Sequence, residues 1–300
     1  PELQLNGFLE KITESLEEVS EQGVLPSAII GAHFTFIVKA SLGWSVQIKN
    51  ALSLPKNKQS ATSFIVSYLH WGKPTISIFK HNDWILTHAL KGANSTQKTL
   101  LVIERQALAA QQLCKFFIQG HIQDNDDMFK KLPQQLNRQQ FSDLFLALAF
   151  AIGNTEPLDE PLLTNSMRLW ELLKNLATEQ RFEEEFAFSD AFSNWLAIES
   201  LPEEWRLETF TEIISTGDVN FKDLYGTLAS LKTLSRSHPR ECLSLVFALL
   251  LKLRQRYDLA WSVHVIYEML EGLPEQPNDP LGEMRNEVES QLARIGYSRS

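Results

Sequence analysis

The chain has 300 residues, a hydrophobic fraction of 44% and a formal net charge of −9. Its thirty aromatic side chains exclude a natively disordered chain, and no apolar stretch reaches the roughly 20 residues that a membrane-spanning helix needs. Two cysteines, Cys114 and Cys242, are too few for a disulfide framework or a four-ligand zinc site, so we expect a protein of the reducing cytoplasm.

The first predicted element is an acidic amphipathic helix. Residues 1–30 contain six Glu and one Lys. The apolar residues of this segment follow steps of three and four, so they form one stripe along a helix. These residues are Leu5, Leu9, Ile12, Leu16 and Val19. Gly23 and Pro26 are expected to end the helix.

The second predicted element is a basic α+β module. Residues 31–123 contain nine Lys and one Arg but only two acidic residues, Asp83 and Glu104. Several short stretches alternate apolar and polar residues, which predicts half-buried strands, although some of them could form helix instead. The alternating stretches lie near residues 34–38, 44–49 and 75–80, while residues 64–69 are rich in β-forming side chains and residues 84–88 are predicted as a further strand. A buried strand near 100–103 and a helix through Phe117 complete the predicted module.

The remaining residues, 124–300, carry a net charge of −12 and show a helical period. The predicted helices cover residues 140–152, 159–179, 182–199, 203–215, 219–236, 240–256, 258–272 and 281–295. Because their connections are short, consecutive helices are expected to pair as antiparallel hairpins. The absence of a recurring residue signature leaves both a solenoid-like array and an irregular bundle open.

These patterns together predict a mainly α protein of two domains. Residues 1–123 would form the N-terminal helix and the smaller α+β module, and residues 124–300 an acidic domain of helical hairpins. A chain whose charge changes sign between its parts is expected to bind a different partner with each part. The sequence specifies no oligomeric state.

No catalytic motif is present in the sequence. It contains no phosphate-binding loop of the form GxxxxGK[ST], no HExxH and no GxSxG. His70, His81 and Asp83 could contribute to a metal-dependent site, but their spacing matches no metal-binding motif, and exposed positions in strands and turns explain them. We therefore predict no catalytic residue, no cofactor and no metal, and we favour a non-enzymatic protein.

Two functions rank above an enzyme whose site is assembled from scattered residues such as His70, His81 and Asp83. The leading hypothesis is an adaptor or scaffold subunit whose helical hairpins present a surface to another protein. The alternative is nucleic-acid binding by the basic segment, because lysines neutralise phosphates and aromatic rings stack on bases. The same side chains could instead bind an acidic protein. The candidate binding residues are Lys39, Lys49, Lys56, Lys58, Lys73, Lys80, Trp71 and Trp84.

Overall fold

A computed structural model describes most of the chain, and the described residues form fifteen helices and no strand. The described residues are 7, 10, 11, 14, 23–53, 58–90, 100–124, 126–155, 158–179, 188–216, 221–253, 259–273 and 280–297. A mainly α fold is thereby confirmed. No helix within these ranges is both long enough and apolar enough to cross a bilayer.

The chain divides into two compact units by the density of contacts between Cα atoms. The first unit contains residues 1–144 and 164–176, and the second contains residues 145–163 and 177–300. The predicted domains, 1–123 and 124–300, stay a prediction; the first compact unit also includes residues 124–144. The first unit has 16 basic and 13 acidic side chains, whereas the second has 12 basic and 24 acidic ones.

Seven helices lie wholly within the first unit. They are α1 (Val24–Ala40), α2 (Leu42–Leu52), α3 (Lys58–Trp71), α4 (Ile76–His81), α5 (Trp84–Leu90), α6 (Leu100–Ile118) and α7 (Asp127–Gln135). The helices α8 (Arg138–Gly153) and α9 (Glu160–Glu179) contribute residues to both units.

The prediction of strands in residues 31–123 is wrong wherever the structure describes that segment. Phe34 and Val38 are buried, but Phe36 between them is 68% exposed. In the same way, Trp44 and Ile48 are buried whereas Val46 is exposed. A strand would have turned all members of each alternating set to one side, whereas a helix buries residues four positions apart and exposes the residue between them. The alternation therefore arises from a helix with an additional apolar surface residue.

The N-terminal amphipathic helix is described at only four positions. Gly7, Glu10, Lys11 and Glu14 have helical backbone and are exposed, as expected for the polar face of the predicted helix. The five apolar residues of its predicted stripe lie outside the described residues.

The core of the first unit centres on the close packing of α1 against α3. Phe34 makes edge-to-face contacts with Phe64 and Tyr68, with ring centroids 5.1 and 5.2 Å apart. Gly31 makes this approach feasible, because a Cβ atom there would collide with the carbonyl oxygen of Phe64 and lie 3.1 Å from the amide nitrogen of Tyr68. Burial raises the pKa of the Tyr68 phenol to about 12.

A buried arginine and a buried glutamine connect α6 to the end of α5. The side chain of Arg105 donates a 3.2 Å hydrogen bond to the carbonyl oxygen of Ala89 and a 3.3 Å bond to Oγ1 of Thr62. Nε2 of Gln106 donates to the carbonyl oxygen of Leu90 at 3.2 Å. These bonds satisfy carbonyl groups that a helix leaves free at its C-terminus.

The second unit contains the remaining six helices. They are α10 (Phe188–Leu196), α11 (Glu203–Thr216), α12 (Leu224–Leu234), α13 (Pro239–Lys252), α14 (Val263–Glu271) and α15 (Pro280–Arg294). Each helix predicted from residue 182 onward overlaps one of these six helices, and α12 begins later than expected because residues 221–223 are not helical. Pairs of these helices pack together in α10–α11, α10–α12, α11–α13, α12–α13, α12–α14 and α13–α15.

Candidate functional site

The second unit contains an open groove of about 370 Å³. Three elements line it: the C-terminal turn of α8, the C-terminal part of α10 with the turn that follows, and the first turn of α12. The lining includes Phe150, Asn154, Asn194, Glu199, Asp223 and Gly226. These residues span more than 70 positions of the sequence, so only the folded unit brings them together.

A buried tryptophan fixes α10 against α8 beneath the groove. Trp195 is fully buried, and its Nε1 donates a 3.0 Å hydrogen bond to the carbonyl oxygen of Phe145. Indole N–H groups require a partner when they are buried, so this bond sets the position of the C-terminal part of α10. The α8 side of the groove ends where Asn154 donates from Nδ2 to the carbonyl oxygen of Phe150 at 2.8 Å.

The α12 side of the groove begins with a helix cap. Oδ1 of Asp223 accepts a 2.8 Å hydrogen bond from the amide of Gly226, which is the usual role of aspartate before a helix. A Cβ atom on Gly226 would lie 2.9 Å from Cγ of Asp223. The glycine therefore leaves room for the carboxylate at the edge of the groove.

The electrostatic character of the groove is negative. Glu199 and Asp223 supply two carboxylates, and none of the described residues that line the groove is basic. The C-termini of α8 and α10 each add about half a negative charge, and the N-terminus of α12 opposes them with about half a positive charge. The buried Arg206 reduces this charge in part, since it donates a 2.8 Å hydrogen bond to the carbonyl oxygen of Leu196.

Burial lowers the pKa of this guanidinium, against the opposing effects of Glu203 and Glu199. One carboxylate of the groove therefore also favours the charged form of Arg206.

One large apolar side chain borders the groove and is open to solvent. Phe150 is 63% exposed, and Leu146, one turn earlier on α8, is 40% exposed. On the opposite side of the same helix, Phe145 and Leu148 are buried. The groove thus combines an aromatic ring with two carboxylates, an arrangement that suits a cationic group on an apolar stem.

The predicted lysines of the basic segment lie on the surface of the first unit. Lys39, Lys49, Lys58, Lys73 and Lys80 are exposed, and Lys56 lies outside the described residues. Their role in binding stays a prediction.

The two candidate tryptophans differ in their surroundings. Trp71 is 72% exposed. Trp84 is half-buried and stacks on Phe64, with ring centroids 5.9 Å apart, and its Nε1 lies 3.3 Å from Oδ1 of Asn82. Of the two rings, Trp71 is the more accessible to a base, although the imidazole of His70 lies beside it with ring centroids 5.9 Å apart.

The residues considered for a metal site do not form one in the described parts of the chain, where no group of three or more His, Cys, Asp and Glu side chains is placed to hold an ion. Nε2 of His70 instead lies 2.8 Å from Oε1 of Glu104, which joins α3 to α6 at an exposed position. His81 and Asp83 are exposed.

Sequence analysis missed the groove and the exposed ring at its edge. A signal was present in α8, where apolar residues from Phe141 to Ile152 occupy more positions than one buried stripe can accommodate. No family model, curated protein or solved structure matches this chain.

Proposed function

We propose that this protein is a non-enzymatic interaction adaptor, and that the groove of the second unit binds a partner segment in which a Lys or Arg lies beside an apolar side chain. The observation that carries this proposal is the groove itself, where an exposed phenylalanine adjoins two carboxylates. The predicted hairpin array supports it, because stacked helix pairs leave one long face available to a partner.

Charge complementarity selects the partner. The second unit has twice as many acidic as basic side chains, so it attracts cationic segments over a longer range than the groove alone. Within the groove, the ring of Phe150 can hold an ammonium or guanidinium group, while Leu146 extends the apolar contact along α8. A peptide fits better than a small metabolite, since the groove is open and continues into this apolar strip.

The test is to select binders from a displayed peptide library against the immobilised full chain, and then to measure the affinities of the selected peptides. We expect enrichment of sequences that combine Lys or Arg with apolar residues. The double variant E199Q/D223N removes both carboxylates but keeps a capping side chain at position 223, and it should weaken binding at least tenfold.

The matched control is E204Q/E208Q, which makes the same charge change at two exposed positions of α11. It should change affinity less than twofold. Equal losses in both variants, or selection of peptides without basic residues, would overturn the proposed groove function.

The alternative function is binding of single-stranded nucleic acid by the first unit. A specific observation favours keeping it: Trp71 is 72% exposed, and residues 23–82 contain no Asp or Glu. Fluorescence anisotropy with a labelled oligothymidine should then show binding that weakens steeply between 50 and 200 mM salt, because phosphate neutralisation releases counterions. Absence of binding at about 50 mM salt would eliminate this function.

A further inference from the structure

The first unit exposes a set of large apolar side chains on two successive helices. We define the α1–α2 face as Leu25, Ile29 and Phe36 of α1 with Leu42 and Val46 of α2. Each of these side chains is between 51% and 68% exposed. Single exposed apolar residues are ordinary, but this segment holds five of the eleven large apolar side chains that are exposed among the described residues, and such enrichment indicates an interaction surface.

The spacing shows that this exposure is an organised feature of both helices. Leu25, Ile29 and Phe36 are separated by four and seven residues, so they share one side of α1 over about 16 Å. Leu42 and Val46 are separated by four and share one side of α2. The residues that face the core, such as Phe34 on α1 and Ile48 on α2, occupy other positions of the helical period.

Within residues 23–82, which contain the α1–α2 face, every charged side chain is a lysine, whereas the six glutamates of residues 1–30 precede this segment. Lys39 follows Phe36 by three residues and Lys49 follows Val46 by three, so each apolar stripe is followed by an exposed lysine on the same side of its helix. Residues 23–82 contain no Asp or Glu. A basic partner would find no carboxylate within this segment, whereas an acidic partner would find complementary charges.

We propose that the α1–α2 face binds an amphipathic helix of a partner protein whose apolar stripe is flanked by Glu or Asp. A stripe of about 16 Å matches three turns of such a helix, which anchors through apolar residues at steps of three and four. This surface goes beyond the groove function, since it lies in the other unit and selects the opposite charge. Five apolar side chains favour this partner over nucleic acid, whose backbone offers them no apolar contact.

The probe is a pair of designed 18-residue peptides tested on the full chain by fluorescence anisotropy. Both peptides carry Leu at positions i, i+4, i+7 and i+11, and their remaining positions carry Glu in one peptide and Lys in the other. The Glu peptide should bind at least tenfold more tightly than the Lys peptide. Equal affinities, or preference for the Lys peptide, would overturn the proposal.

Variants then assign the binding to the α1–α2 face. F36S/V46S changes only exposed side chains, so the helical circular dichroism spectrum should be retained while Glu-peptide binding weakens at least tenfold. The matched control is L251S, which removes an apolar side chain that is 58% exposed on α13 and should change binding less than twofold. Unaltered binding by F36S/V46S would exclude this face.

Two further measurements separate this proposal from other interpretations. The groove variant E199Q/D223N should bind the Glu peptide as the natural chain does, so failure of the groove function leaves this result intact. Vesicles of phosphatidylserine and phosphatidylcholine should bind the natural chain no more than they bind F36S/V46S. If the natural chain binds these vesicles but not the Glu peptide, the ligand of the α1–α2 face is a membrane surface and not a partner helix, and the proposal is overturned.

Discussion

The two compact units differ in how well their secondary structure could be predicted from the sequence. In the second unit, the helical period predicted elements such as α13 and α15 close to their observed bounds. In the first unit, alternating apolar residues predicted strands, but the same segments are helices. The difference lies in the surface: Phe36 and Val46 are exposed apolar residues placed between buried ones, and they imitate the period of a strand.

This comparison links a wrong prediction to a functional hypothesis. The residues that made α1 and α2 resemble strands belong to the α1–α2 face. A solvated face normally carries polar residues, and their replacement by Phe36 and Val46 obscured the helical period. A departure from the expected pattern can thus mark a surface that serves a partner.

The largest effect is expected from Gly31→Ala, which tests the helical packing that distinguishes the first unit from the predicted α+β module. The new Cβ would meet the backbone of Phe64 on α3, which cannot move aside as a flexible side chain can. We expect a loss of about 3 kcal/mol in the free energy of unfolding, measured by urea denaturation.

Gly43→Ala is the control for this variant. The nearest atom to its new Cβ is Oγ of Ser41 at 3.7 Å, so this helical position has room for a methyl group. The Gly43→Ala substitution should raise the free energy of unfolding by up to about 1 kcal/mol, because alanine favours the helical conformation more than glycine does. Equal effects at the two positions would contradict the close approach of α1 and α3.

The next largest effect is expected from Arg105→Met, which tests whether the first unit depends on a buried charge within its core. Burial lowers the pKa of Arg105, and its hydrogen bonds hold Ala89 of α5 and Thr62 of α3. Loss of these bonds should cost about 2 kcal/mol in the free energy of unfolding, as followed by urea denaturation.

Arg168→Met provides the comparison within the same unit. Arg168 is exposed and lies 3.3 Å from Asp124, so its replacement should cost less than about 1 kcal/mol. A greater loss for Arg168→Met than for Arg105→Met would show that the buried guanidinium is not needed for stability.

The two cysteines compare the units directly, since Cys114 lies in the first and Cys242 in the second. Burial raises the pKa of the Cys114 thiol, and burial together with Glu241 and Glu203 raises that of Cys242 to about 12. Both should react with iodoacetamide at pH 8 at least tenfold more slowly in the native protein than in urea, as monitored by mass spectrometry. Rapid labelling of one cysteine alone would identify the unit that opens more readily.

The raised thiol pKa also fixes the sign of a pH effect. The unfolded Cys242 thiol ionises near pH 9, whereas the native thiol stays protonated until about pH 12. Stability from this group is therefore complete below pH 9 and is lost as the pH rises towards 12. The free energy of unfolding should fall over this interval, and Cys242→Ala should show a smaller fall.

The smallest effect is expected from Lys73→Gly, in the connection between α3 and α4, two segments that were predicted as strands. Lys73 has a φ of 49° and precedes Pro74, and both features disfavour a residue with a side chain. Glycine should raise the free energy of unfolding by up to about 1 kcal/mol. Lys80→Gly within α4 should instead lower it by about 1 kcal/mol.

The sequence predicted only some of the residues that form the candidate surfaces. The lysines of the basic segment were predicted as surface residues, and those described are exposed. The groove was not predicted, because Phe150, Glu199 and Asp223 lie on separate elements whose packing no local period encodes. Trp84 was included among the candidate rings, but its stacking on Phe64 depends on how α3 and α5 pack.

The sequence by itself determined the charge difference along the chain, the helical character of its acidic part and the absence of the catalytic motifs that were sought. These properties depend on composition and on residues a few positions apart. The tertiary structure alone decided which apolar residues are buried, because α1 and α2 offer more apolar surface than their neighbours cover. The face of a helix that packs closely against a neighbouring helix becomes buried, as α1 does where Gly31 approaches the backbone of Phe64. The other face stays exposed to solvent.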